Sequence, residues 1–237
     1  MSDFPAGASV SALEVYTSVA PDGLAGGTPH LHTVASEAYL VVAGCGELHT
    51  VDADGAASTP LAPGDTVWFT PGVVHRAVNL GGLHLRVVMS HAGLPEAGDA
   101  VMTFPDDILA NPEAYAAAAT LPGPEASASE RLAAAQRRRD LAVEGYAALG
   151  HGGQADPAAV ALLHRRAAAL VSHRIGRWKD TWEQSLASQA SQAEAAFAAL
   201  AAGSGETLAA GRVTRPATAP DFGMCGLLTT LTLEGES

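Results

Sequence analysis

The stretch PHLHTVASEAYLVVAG, Pro29 to Gly44, is the part of the chain that decides the fold. It sets two histidines either side of one leucine, then a glutamate five residues on, among residues that otherwise read as strand. Side chains of a strand alternate faces, so His30 and His32 share one face. Glu37, Tyr39 and Val41 share a face on the next strand. The loop 33–36 is short enough to fold that strand back beside the first, which sets one carboxylate opposite two imidazoles. Buried imidazoles and carboxylates are costly unless paired or bound to a cation. A divalent metal ion accounts for all three groups at once; a hydrogen-bonded polar cluster without an ion is the competing reading.

A fourth candidate lies downstream. GDTVWFTPGVVHRAVN (64–79) is a strand running into a Pro-Gly turn, with His75, Ala77 and Asn79 on one face of the strand that follows. Around these two segments, residues 8–92 read as short strands at 11–19, 37–44, 47–51, 66–72, 75–78 and 83–90. Turns at PDGLAGG (21–27), DADG (52–55) and NLGG (79–82) separate them. Many short strands between Gly-rich turns point to a sandwich or barrel.

Together the two segments resemble the cupin family. Its first motif appears here as His30-Leu31-His32, four residues, Glu37, six residues, Gly44. Its second appears as Gly64, five residues, Thr70-Pro71-Gly72, two residues, His75, three residues, Asn79. The nineteen residues 45–63 separate them, a spacing similar to that of small single-domain cupins. Two positions depart from the pattern: Leu24 stands where the leading glycine falls, and Thr70 where the proline falls. The resemblance covers about residues 10–92. It implies a mainly β fold, a double-stranded β-helix or jelly-roll barrel over 8–95. It also implies a metal in the barrel mouth held by His30, His32, Glu37 and His75, with two positions of a six-coordinate ion open. That ligand set suits Fe, Mn, Ni, Co or Zn, and spacing does not choose among them.

Beyond Pro105 the composition turns to Ala, Leu, Gln, Arg and Glu, and an α-helical region is expected over 104–203. FPDDILANPEAYAAAAT (104–120) reads as one or two short helices around Pro112. Ser127 and Glu130 form a capping box that opens a helix to about Leu149. Asp156-Pro157 starts another, to about Ile175 before Gly176, and a last one runs over 178–202. GHGGQA (150–155) reads as a loop, and GMCGLLTTLTL as the centre of a returning strand over 222–234. Arg137-Arg138-Arg139 reads as a solvated helix face, and Trp178 with Trp182 as helix-packing core. His49, His84 and Arg86 read as strand surface, and His151, His164 and His173 as non-ligands.

Composition bounds what these residues serve. The chain has 237 residues, 48% of them hydrophobic, and a net charge of −12, so nucleic acid is an unexpected partner. MSDFPAGASV has neither the basic nor the apolar part of a signal peptide, and no long apolar run suggests a membrane span. Two cysteines, Cys45 and Cys225, make no disulfide framework, and a cytoplasmic setting is expected. The expected activity is a metal-dependent reaction on a small organic molecule, of dioxygenase, isomerase or lyase type, with Glu37 and Tyr39 as the groups that handle protons. The alternative is a non-catalytic barrel that binds metal or a small ligand, its helical region serving assembly. The resemblance also implies a homodimer, because family members commonly pair through their sheets.

Overall fold

The computed structural model describes residues 4–52, 54–151, 154–215 and 217–232. In chain order, its strands before the helical region are β1 (Ser9–Val15), β2 (His30–His32), β3 (Glu37–Asp52), β4 (Gly55–Leu61), β5 (Thr66–Phe69), β6 (Val74–Met89) and β7 (Ala100–Met102). The helices α1 (Asp106–Leu109), α2 (Pro112–Ala119) and α3 (Ala128–Ala147) follow, then a small hairpin of β8 (Gly150–His151) and β9 (Gln154–Ala155). After it come α4 (Pro157–Val171), α5 (Ile175–Trp182), α6 (Ser188–Ala201), α7 (Glu206–Ala209) and a closing hairpin of β10 (Ala217–Phe222) and β11 (Gly226–Thr232). No helix among the described residues is long and apolar enough to cross a membrane.

β3 and β6 carry the fold, antiparallel along nearly their whole lengths. The sequence reading breaks each of them in two, at Gly44–Gly46 and at NLGG (79–82). The structure corrects this: both strands continue and bend, with register shifts between Val41 and Gly46. A bend keeps the ladder hydrogen bonds that a turn would surrender to solvent. Gly44 makes it possible: its φ is +75°, and a Cβ there would lie 1.9 Å from Gly82 O. A side chain has neither the backbone freedom nor the space at that point.

Each long strand thereby serves two faces of one rolled sheet. On one, β5, β3, β6, β1, β11 and β10 are successive neighbours. On the other the order is β4, β3, β6, β2, β7. Inside the roll, Leu13, Tyr39, Val41, Leu48, Phe69, Leu85 and Val87 form an apolar core. This is the β-barrel that the motifs imply, and strands from beyond residue 95 pair at its edges. The returning strand of the sequence reading is β11; its expected residues 233–234 lie outside the described residues, as do 152–153 of GHGGQA and the first three residues of the N-terminal segment.

The helices bury their apolar faces on the outside of the β2–β7 face. Leu31, Val51 and Val74 share a second core with Phe104, Leu109, Tyr115, Ala142, Leu163, Leu170 and Trp178. That is why all three residues of β2 are buried: the histidines enter the roll and Leu31 enters the helical core. The capping box of Ser127 and Glu130 forms at the start of α3, and Asp156 caps α4. The expected break at Gly176 is absent. Helical turns run on from α4 through Ser172–Arg174 into α5, and from α5 through Glu183–Ala187 into α6. A helix-interior glycine costs only about 1 kcal/mol, which packing of Trp178 outweighs.

Two further expectations fail. Trp182 is 41% exposed and leaves the helix core to Trp178. The arginine run is not a solvated face, because Arg139 is only 1% exposed. Its guanidinium donates to Ser18 O and Ser18 Oγ at 2.7 Å each and to Val19 O at 3.1 Å, tying α3 to the loop after β1. Asp140 supplies its counter-charge at 2.7 Å.

Candidate metal centre

His30, His32, Glu37 and His75 come together inside the roll, all four buried, with one ligand atom from each lying within 4.8 Å of the others. The route differs from the one expected. Loop 33–36 does not fold β3 back beside β2; β2 pairs with β6 and β7, and Glu37 is paired with Phe69 and Met89. His30 and His75 are direct cross-strand partners, and the glutamate faces them across the interior. The centroids of the His30 and His75 rings are 4.1 Å apart, and those of His30 and His32 are 5.2 Å apart.

Hydrogen bonds aim the rings. His30 Nδ1 donates to Thr28 O at 2.8 Å and His75 Nδ1 to Val73 O at 3.2 Å, which leaves each Nε2 as a lone-pair donor turned inward. His32 Nδ1 lies 3.1 Å from Asp99 Oδ2. Asp99 is fully buried and also accepts from Thr33 N, Thr33 Oγ1, Val34 N and Ala35 N at 2.6–3.0 Å. It holds both the His32 ring and the loop that leads to Glu37.

At the centre, Glu37 Oε2 lies 3.1 Å from His32 Nε2 and 3.1 Å from His75 Nε2. Glu37 Oε2 and His75 Nε2 are nonetheless buried without an aligned hydrogen-bond partner. Ligands about 2.1 Å from a common ion lie about 3 Å apart when adjacent and about 4.2 Å when opposite. The spacing of this donor set therefore fits a divalent ion, and the orphaned atoms are those such an ion would satisfy. Without an ion, burial opposes charge on His32, but Asp99 and Glu37 outweigh it and hold the imidazolium up to about 9. Burial likewise opposes charge on Glu37, and His32 and His75 overcome it, holding the carboxyl far below its usual range. Burial, with His75 and His32 alongside, pushes His30 well below the usual imidazole range.

Tyr39 is fully buried beneath the centre, edge-on to Phe69 at 5.4 Å. Its hydroxyl has no aligned partner. Burial, then the charge of Glu37 and the neighbouring Cys225, push the phenol well above its usual range. His49 pairs instead with Glu47 at 2.7 Å on the strand surface, and His84 and Arg86 are exposed. His164 is bonded to Gly72 O at 2.9 Å, away from the cluster. The two motif departures sit in turns that hold. Gly26 and Gly27 pack against Ala77 and Cys225, and buried Arg76 donates to Gly27 O at 3.1 Å and pairs with Asp22. Gly72, at φ +90°, donates to His32 O at 2.9 Å.

A cavity of about 600 Å³ opens above the centre. His30, His32 and Glu37 line its floor; Leu13, Val87 and Met89 line its barrel wall. Its upper wall comes from outside the motifs: Met102, Tyr115, Arg138, Arg174 and the segment Phe222–Cys225. Sequence reasoning missed Asp99, Arg138 and Arg174 as parts of the site. Asp99 lies 67 residues from His32 and carries no spacing signal; only the rarity of unpaired charge in an apolar helix face marks the arginines.

A family comparison agrees with this geometry. The family model described as "Cupin domain" matches residues 15–91. Solved structures that match include a conserved double-stranded β-helix protein of Klebsiella pneumoniae, 23% identical over 35% of this chain and 64% of that one, TM-score 0.27. Another is a variant of Streptomyces PAC13 with uridine, 17% identical over 40% of this chain and 65% of that one, TM-score 0.31. A third is the capsular polysaccharide assembling protein CapF of Staphylococcus aureus, 19% identical over 40% of this chain and 27% of that one, TM-score 0.31. This chain thus spans less than two thirds of the length of each. No curated protein matches it. The motifs, the rolled sheet and the family model coincide, so residues 15–91 of this chain form a cupin domain.

Proposed function

We propose that this protein is a metal-dependent enzyme acting on a small organic molecule, with His30, His32, Glu37 and His75 as ligands of a divalent transition metal ion. One observation supports the reading above the rest: buried Glu37 Oε2 and His75 Nε2 lack an aligned hydrogen-bond partner, and Glu37 lies at the floor of a cavity large enough for a substrate. A polar cluster serving stability alone would satisfy those atoms. When bound, the ion supplies a Lewis acid, and its identity among Fe, Mn, Ni, Co and Zn separates dioxygenase from isomerase or lyase chemistry.

The chain's own residues do the rest. Asp99 holds His32 in the orientation that turns Nε2 inward. The apolar wall of Leu13, Val87 and Met89 excludes water from the floor. Proton handling falls to Glu37, which lines the cavity floor, and to Tyr39, a fully buried phenol held neutral outside the cavity lining. Elemental analysis of purified protein beside His75→Ala tests the assignment. About one equivalent of a transition metal, lost in the variant, is the expected result; no metal in either protein after reconstitution overturns it.

A second reading, a ligand-binding barrel that assembles, draws on a different observation. Leu40, Val42 and Trp68 stand exposed on the outer face of β3 and β5, and Phe197, Leu200 and Leu208 on α6 and α7. These faces support the homodimer. Turnover by metal-loaded protein separates the two readings, and sedimentation with Trp68→Ser tests the dimer.

A further inference from the structure

We infer that the cavity above the metal centre takes a small organic monocarboxylate with an apolar body, its carboxylate bound by Arg138. The inference deepens the metal-enzyme reading and rests on it only for the floor of the cavity.

Arg138 enters from the middle of α3 and lines the cavity with His30, His32 and Glu37. Nη1 donates to Ala119 O at 3.2 Å and Nη2 to Gly223 O at 3.1 Å, so both edges of the fork are anchored by backbone. Nε is buried and has no partner. Arg174 lines the same cavity, with Nη1 on Gly98 O at 2.9 Å. Neither guanidinium lies within ion-pair distance of a carboxylate among the described residues. Arg76, Arg131, Arg139 and Arg166 each do, with an aspartate. In a chain with 25 acidic residues against 13 basic ones, leaving these two cations unpaired in a partly buried cavity has a cost that an incoming anion removes. A guanidinium stays charged at every physiological pH.

The rest of the lining narrows the anion. A planar guanidinium matches a carboxylate. Leu13, Val87, Met89, Met102, Met224 and Leu228 offer an apolar wall for its body. Glu96 also lines the cavity and disfavours a second negative charge. No lysine is among the lining residues, so the cavity lacks the dense donor set that phosphate sites use. Tyr115 accepts from Met102 N at 3.1 Å and keeps its own hydroxyl proton for a second acceptor.

Calorimetric titration of metal-loaded and chelator-stripped protein tests this, with 3-phenylpropionate, its primary amide, benzoate, 5-phenylpentanoate and phenylphosphonate as probes. At least one carboxylate should bind, and 3-phenylpropionate about 10-fold or more tighter than its amide. Arg138→Gln should erase that ratio, Arg138→Lys should restore part of it, and metal content should stay unchanged in both. Equal binding of acid and amide, tighter binding of phenylphosphonate, a ratio that survives Arg138→Gln, or no carboxylate binding up to about 10 mM each overturns the inference. If Arg138→Gln fails to fold, the wild-type ratio and its reduction in Arg174→Gln decide. Absence of an acid preference in fully metallated wild-type protein sinks this inference alone. An acid preference in stripped protein supports it even where the metal reading fails.

Discussion

The floor and the upper wall of the cavity are built in opposite ways. The metal-centre residues His30, His32, Glu37 and His75, the first three of which form the floor, span 46 residues of chain and lie on three strands, where a period of two sets the side on which each stands. The upper wall draws Tyr115, Arg138, Arg174 and Phe222–Cys225 from helices and a hairpin spread over more than a hundred residues. Local geometry makes the floor; only the packing of α3 and of the β10–β11 hairpin against the barrel makes the wall. A site of this kind can keep its chemistry in one segment and its selectivity in another.

That contrast can be broken at the floor with the largest effect. His32→Ala or His75→Ala should abolish metal retention, read by elemental analysis, while circular dichroism still reports a folded barrel. Gly44→Ala attacks the bend that brings the two halves of β3 around the floor. Its positive φ and the contact with Gly82 O should cost about 3 kcal/mol in a denaturant melt. If that melt moves by less than about 1 kcal/mol, the bend is not what the floor depends on.

The join between floor and wall gives intermediate effects. Arg139→Met removes the charge-assisted hydrogen bonds of a buried guanidinium to Ser18 and Val19 and should destabilise by about 2–3 kcal/mol, with metal content intact. Asp99→Asn keeps the shape but removes the charge behind His32 and should weaken metal affinity about 10- to 100-fold in a chelator competition. Unchanged affinity would show that the floor needs no support from outside the motifs. The smallest effect is expected at Trp68, 73% exposed: Trp68→Ser should change monomer stability by less than about 0.5 kcal/mol, and any larger loss that depends on protein concentration would mark the dimer face.

Much was legible in the sequence because strand alternation is a local property. The shared face of His30 and His32, the inward Glu37 and the placement of His75 after a Pro-Gly turn could all be read from spacing. The helix starts at Ser127 and Pro157 were equally legible, since caps act within one turn. The strand ends at Gly44 and NLGG were misread because a glycine bend and a glycine turn share one composition. The arginine run was misread because charge alone does not say that Ser18 and Val19 present their carbonyls to it.

What the sequence determined by itself is a sandwich or barrel of short strands and the faces on which His30, His32, Glu37 and His75 stand, because alternation and turn chemistry act over a few residues; the rolled barrel and the four-ligand set came from the resemblance of its motifs. The tertiary structure alone decided that Asp99 stands behind His32, that β2 meets β6 rather than β3, and that Arg138 reaches the cavity. Those contacts join residues 45 to more than 100 positions apart, and they exist only once the two hydrophobic cores have packed on either side of one sheet.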